Sequence, residues 1–238
     1  MSDLIDNRSS LLSESIGKEL GVSASARFAV GYFFVSGIET VADSLRNIGE
    51  LRLLIGNTTN RATIEQIAEG YRRLDMASKE VEDEEFINQR ESEKRKERTA
   101  YEVGNSLEVM DQTDEGQRLV KLLVRMIEDD RLKVRVYTKG TMHAKAYIFD
   151  HFETISVNGN EVPNPSPGVA IIGSSNFTVS GITSNTEMNV YVHGGENHAQ
   201  LGAWFDELWE EAEDFDTALM REISQSWAGA TRHRIRCT

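Results

Sequence analysis

The sequence is poor in several things, and each shortage removes a class of protein. Its 238 residues hold one cysteine, Cys237, and three prolines. A lone cysteine cannot close an intramolecular disulfide, and that scarcity fits a reducing, cytoplasmic setting. No stretch approaches the roughly 18 to 20 continuous apolar residues of a membrane helix. The opening MSDLIDNRSS lacks the basic-then-apolar order of a secretory signal. Positive charge is scarce as well: 26 Lys and Arg face 39 Asp and Glu, a formal net charge of −13. Such a chain lacks the broad basic field of a non-specific nucleic-acid binder, while a local basic site stays open. No GxxxxGK[ST] loop is present, so the chain is not itself a nucleotide-driven motor. With no cysteine pair and no His-x3-His spacing, no zinc site is expected and no cofactor is implied.

What is present has the rhythm of an α/β domain. RFAVGYFFVSG (27–37) is aromatic and β-rich and ends in Ser-Gly, which predicts a buried strand. ETVADSLRNI carries helical spacing in Val41, Leu45 and Ile48, and ELRLLIGNTTN predicts a second strand closed by a turn. Strand, helix and strand at this spacing make a βαβ unit and imply a largely parallel sheet. TDEGQRLVKLLVRMIEDD shows an apolar stripe of Leu119, Leu122, Leu123, Met126 and Ile127. LKVRVYT, VAIIGSSN and EMNVYVH read as further strands, and NHAQLGAWFDELWEEAEDF as an amphipathic helix with Leu201, Trp204, Phe205 and Leu208 on one side. Trp204, Trp209 and Trp227 are expected in core or interface, not as base-stacking platforms.

Two stretches stand out from this pattern. Between Lys79 and Arg98, 14 of 20 residues are charged, six basic and eight acidic. That composition favours a solvated helix laced with ion pairs over an arm that grips a partner. All three prolines fall in PNPSP (163–167), behind TISVNGNEV with its Asn-Gly hairpin signal.

The chemistry gathers around MHAKAYIFD (142–150). As a strand it places His143 and Lys145 on one face, ~6 to 7 Å apart. An imidazole beside an ammonium invites an anion, since desolvation and like charge would otherwise make the pair costly. GSSN adds Ser174 and Asn176, two short hydrogen-bonding side chains beside a glycine that lets a ligand approach the backbone. His, Lys, Ser and Asn together form a phosphate-binding set that needs no metal. Taken alone, a His-x-Lys on a strand is more often incidental; the spacing of the other residues argues otherwise.

His143-x-Lys145-x4-Asp150 followed by Gly173-Ser174-x-Asn176 resembles the signature motif of the phospholipase D superfamily. NFTVSGITSNTEMNVYV resembles its continuation, with Asn185 and Glu187 at the family's Asn-x-Glu. AVGYFFVSGIETVADSL and LRLLIG look like the amino-terminal half of a single-motif domain of this family, as found in bacterial superfamily-two helicases and some restriction nucleases. REISQSWA (221–228) resembles the end of such a domain. The resemblance implies a phospholipase D-like fold, an α/β structure with a mixed, mostly parallel β-sheet flanked by helices on both faces. It covers residues 25–228, after a polar lead-in (1–24) with a short helix expected around Leu11 to Leu20, and before a tail or linker (229–238). Within the domain lie a charged helical arm of about residues 75–103 and a hairpin and proline insertion at 151–168. Twenty-two residues separate Asp150 from Gly173, far more than in the compact family pattern. The insertion is expected beside the active-site strands, where it would restrict or select the substrate.

The resemblance also implies roles. His143 is the nucleophile that forms a phosphohistidine, and Lys145 and Asn176 neutralise and orient the phosphoryl oxygens, with Ser174 in the phosphate-binding set. Glu187 orients the His143 ring. Asp150 and Gly173 are read as structural, Asp150 because it lies ~23 Å along an ideal strand from His143 and on the opposite face. The mechanism needs two histidines and this chain holds one His-x-Lys. The active form is therefore expected to be a homodimer with a shared site. DNA is the favoured substrate and a helicase domain or subunit the implied partner. Phospholipid and a catalytically silent DNA-binding module are the alternatives, and no membrane association is expected. Lys121, Arg125, Arg131, Lys133, Arg135 and Lys139 read either as a phosphate track or as an ordinary solvated edge.

Overall fold

The computed structural model describes residues 3–33, 35–56, 93–97, 99–101 and 114–225. The charged arm lies mostly outside these residues, as does the 229–238 tail; residues 93–97 and 99–101 are helical.

Eight strands form one sheet: β1 (Leu4–Ile5), β2 (Ser23–Val30), β3 (Glu50–Gly56), β4 (Leu132–Tyr137), β5 (Lys145–His151), β8 (Gly168–Gly173), β9 (Asn189–Val192) and β10 (Glu213–Asp214). Their spatial order is β1-β9-β8-β5-β2-β3-β4-β10. The sheet is mixed and carries helices on both faces, as the sequence implied. The balance of pairings differs from the expected one: only β2/β3 and β3/β4 are parallel, and the five other contacts are antiparallel. The βαβ reading was right for β2, α2 (Val35–Glu39), α3 (Ala42–Leu45) and β3. Beyond β4, however, only residues 138–144 lead into β5. A link that short cannot return the chain for a parallel crossover, so β5 runs against β2.

On one face, α1 (Leu12–Leu20), α2, α4 (Asp114–Glu128), α5 (Val179–Thr183) and α7 (Asp216–Gln225) cover Phe28, Leu53, Val134, Tyr147 and Phe149. The other face is covered by α6 (Gly195–Glu211), whose Phe205 and Trp209 pack on Ala29, Leu54, Ala146, Ile148 and Ala170. Residues 1–24 are more than a lead-in. Leu12, Ile16 and Leu20 of α1 are buried, and β1 pairs with β9. The short helix expected around Leu11 to Leu20 is therefore present, and it belongs to the core and not to a polar lead-in.

The insertion forms the expected hairpin, β6 (Thr154–Val157) with β7 (Asn160–Pro163), turned by Asn158 and Gly159 at φ 52° and 81°. Its position corrects the expectation. The β5 strand enters at Lys145 and leaves at His151, and β8 returns from Gly168 to Gly173. The hairpin therefore projects from the end of the sheet opposite Lys145 and Ser174, and it borders no candidate catalytic group.

One edge contact makes a pH prediction. Asp216, first residue of α7, accepts the Val134 N–H at 2.7 Å, and burial pushes its carboxyl up to about 6. An unfolded Asp titrates near 3.9, so between these values the folded chain holds a proton that the unfolded chain has released. The group's contribution to stability is largest at low pH and is lost as pH rises through about 6. In Asp216→Asn, which keeps the acceptor and removes the titration, Tm measured by calorimetry should gain on the wild type as pH rises from ~4 to ~7.

Candidate active site

The carboxyl ends of β2, β3 and β4 lie at one end of the sheet, beside the start of β5. The 138–144 loop crosses over them to reach β5. Two glycines make that crossing possible. A methyl added to Gly56 would stand 2.8 Å from Met142 O, and one added to Gly31 would stand 3.1 Å from the same oxygen. A crevice at the carboxyl ends of parallel strands is where open α/β sheets place ligands.

His143 sits in that loop, exposed, two residues before Lys145 begins β5. The expected strand thus starts later than MHAKAYIFD suggests, because the crossing consumes residues up to 144. The His143 carbonyl accepts from Lys145 Nζ at 2.9 Å and so directs the ammonium. Lys145, Tyr147 and Phe149 share one face of β5; Tyr147 and Phe149 are buried beneath the site.

Asn176 reaches the same point from the loop after β8. Its Oδ1 accepts the Tyr32 N–H at 3.2 Å, and Phe33 and Phe177 form a parallel β-bridge with their rings stacked at 6.1 Å. A methyl on Gly31 would lie 3.4 Å from Asn176 Oδ1 and 3.7 Å from Lys145 Nζ. Lys145 and Asn176 therefore converge over Gly31. Ser175 is held beneath them: Asn189 Nδ2 donates to its Oγ at 2.8 Å, and its carbonyl accepts from the Tyr147 hydroxyl at 2.8 Å. Burial and then the Glu187 charge raise the Tyr147 pKa.

Glu187 and Ser174 pair with each other. The Ser174 hydroxyl donates to Glu187 Oε2 and accepts the Met188 N–H at 3.1 Å. Among the described residues, no hydrogen bond joins Glu187 to the His143 ring, and Ser174 points its hydroxyl to the carboxylate. Gly173 lets Asn189 and the Met188 carbonyl approach; an added methyl would stand 2.2 Å from Asn189 Oδ1. Asp150 is elsewhere. It accepts from Arg27 Nη2 and from Ser25 Oγ at 2.9 Å, and His198 Nε2 lies 3.1 Å away, all at the hairpin end of β5.

Residues 63–209 match the family model described as the cardiolipin synthase, PLD-like domain. The chain belongs to the phospholipase D-like family. Among solved structures, this PLD-like chain is similar to Nuc from Salmonella typhimurium, a phospholipase D family member, at 13% identity and TM-score 0.43. That match covers 84% of this chain and 88% of Nuc. NucT from Helicobacter pylori matches at 11% identity and TM-score 0.44, covering 89% of this chain and 97% of NucT. Phosphatidylserine synthase from Haemophilus influenzae matches at 11% identity and TM-score 0.47, covering 89% of this chain and 38% of the synthase. No curated protein matches the sequence.

The basic cluster of this PLD-like chain is largely spoken for. Lys133 bonds Glu50 at 2.9 Å and Asp130 at 3.3 Å, and the Glu50 hydrogen bond raises its pKa. Arg135 donates to the Trp209 carbonyl and stacks over the Trp209 ring at 4.9 Å. Lys139 lies 3.9 Å from Glu211, and Arg131 binds the carbonyls of Leu45, Arg46 and Ile48. Lys121 donates to Gln117 at 3.2 Å. Five of the six cations thus have intramolecular partners, which favours the solvated-edge reading over a phosphate track. Among the described residues no cluster of His, Cys, Asp and Glu could hold a metal, and no helix is long and apolar enough to cross a membrane.

Sequence reasoning passed over Gly31, Tyr32, Tyr147 and Asn189. For Gly31 a signal existed: a glycine at the end of an aromatic strand marks close approach of another backbone.

Proposed function

We propose that the protein is a metal-independent phosphodiesterase, a DNA nuclease that works as a homodimer through a phosphohistidine. The observation that carries this reading is the convergence of Lys145 Nζ and the Asn176 amide over Gly31, with exposed His143 on the loop beside them. An ammonium and an amide at one point suit two non-bridging oxygens of a phosphate, and the charge they stabilise grows in the transition state.

A ring nitrogen of His143 attacks phosphorus, forming a P–N bond as the P–O bond to the leaving strand breaks. His143 of the partner subunit donates a proton to the leaving oxygen. It then takes a proton from water, whose oxygen attacks phosphorus, breaks the P–N bond and restores the imidazole. Glu187 supports the site through Ser174, and on substrate binding its carboxylate orients the His143 ring. Asp150 and Gly173 serve the scaffold, and no metal enters the reaction. A helicase domain or subunit would supply the DNA affinity that an acidic chain with paired surface cations lacks.

One observation favours phospholipid as a second substrate class. Met188, next to Glu187, is 64% exposed, and Leu4 and Val190 beside it are 54% and 39% exposed. The test is cleavage in excess EDTA of single-stranded DNA, double-stranded DNA and phosphatidylglycerol vesicles. DNA cleavage supports the proposal; vesicle hydrolysis alone transfers the chemistry to lipid. Binding to DNA without cleavage of any substrate would make the chain a silent module.

A further inference from the structure

Resting on the phosphodiesterase reading, we infer that the Gly31-Tyr32-Phe33 segment at the end of β2 is the positioning element of the phosphate pocket. Gly31 provides its floor and the Tyr32 amide fixes the orientation of Asn176. Three observations meet here. The Tyr32 N–H can only donate, so the Asn176 side chain must turn Oδ1 toward it, at 3.2 Å. That commits the acceptor half of the amide to the backbone and leaves Nδ2, the donor half, for an anionic oxygen. A reversed amide would set Nδ2 against the Tyr32 N–H and present a carbonyl to the phosphate.

The second observation is space. A methyl on Gly31 would stand 3.1 Å from Met142 O, 3.4 Å from Asn176 Oδ1 and 3.7 Å from Lys145 Nζ. The contact with Met142 O is tighter than carbon normally accepts, so the loop that carries His143 must give by a few tenths of an ångström. The methyl fills the space against Asn176 and Lys145 at ordinary contact distance. The loop cannot sink, because Met142 O is already close over Gly56 as well. The displacement therefore falls on the loop whose His143 carbonyl directs Lys145. The third observation is the anchor. Phe33 bridges Phe177, the neighbour of Asn176, and both rings are buried. The segment thus sets the rotamer of Asn176 from below and the position of its backbone from the side.

The segment acts through Asn176 and Lys145 and touches no reacting atom. Its test reads phosphate binding separately from turnover. Inorganic phosphate is titrated by calorimetry into wild type, Gly31→Ala and Phe33→Leu, well below each Tm, with metal-free hydrolysis of bis(p-nitrophenyl) phosphate followed alongside. Gly31→Ala should weaken phosphate binding and lower kcat/KM by about ten-fold, since small misplacements of positioning groups are costly. Its Tm should stay near that of wild type. Phe33→Leu, which loosens the anchor without crowding the floor, should lower both quantities in the same direction and by less; it decides the matter where Gly31→Ala does not fold. Unchanged phosphate affinity in both variants would overturn the inference and leave the phosphodiesterase reading intact. Phosphate binding and turnover absent from a folded wild type would overturn both. Wild type that binds phosphate without turnover, with binding weakened in the variants, would uphold the inference and sink the catalytic reading alone.

Discussion

His143→Ala should lower metal-free phosphodiester cleavage by at least about 10⁴-fold, the scale on which removal of a covalent nucleophile acts. No neighbour can replace it. Lys145 Nζ is committed to the His143 carbonyl and its own pocket, and the Ser174 hydroxyl donates to Glu187. Among the described residues, the other histidines are engaged far from the crevice: His151 with Glu19 at 3.4 Å, His198 with Phe149 O at 3.1 Å, and His193 with Asp3 at 3.2 Å. Folding should be little changed, because the His143 side chain is exposed and packs in no core. The same variant tests the shared site. If each site needs both His143 residues, a dimer with one variant subunit is dead. After subunit exchange in an equal mixture, only ~1/4 of the dimers remain fully wild type, so activity falls to about one quarter. Independent monomers would retain about one half. A mixing curve linear in the wild-type fraction would sink the homodimeric mechanism while leaving His143 as a candidate nucleophile.

The sequence carried the parts of this molecule that depend on near neighbours. Alternation in LKVRVY and the Asn-Gly turn at 158–159 are local, and both elements stand where they were expected. So is the resemblance to one family, carried by the motif around His143, Lys145, Ser174, Asn176 and Glu187, and the family itself is matched over residues 63–209. What the sequence could not carry depends on the direction of strands and on distant partners. The side of the sheet on which the 151–168 insertion projects follows from β5 running against β2, which the short 138–144 crossing dictates only once strand order is known. Lys133 reads as a free cation until Glu50, 83 residues away, is seen to hold it. The Ser174–Glu187 bond and the Tyr32–Asn176 contact are likewise products of packing between loops.

Asp150 decides whether a motif residue belongs to the chemistry or to the scaffold. Asp150→Ala should destabilise the protein by about 2–3 kcal/mol, somewhat below the cost of breaking a fully buried ion pair. The side chain of Arg27 is only 11% exposed, and Asp150 meets it together with Ser25 and His198. Without Asp150, Arg27 keeps Asp206 at 3.4 Å, a more exposed partner that also serves Arg52 at 2.9 Å, and this tempers the loss. A drop in Tm of roughly 5–10 °C follows for a chain of this size. Asp150→Asn, which keeps an acceptor for Ser25, should lose less. Asp150 stands five strand residues from Lys145, ~17 Å, at the hairpin end of the sheet. Activity per folded molecule, measured well below Tm, should therefore match wild type in both variants. A fall in kcat with Tm unchanged would place Asp150 in the reaction and require β5 to carry its influence to the crevice. Lost stability with kcat intact would assign its place in the motif to the pairing of β2, β5 and α6, the three elements that its partners join.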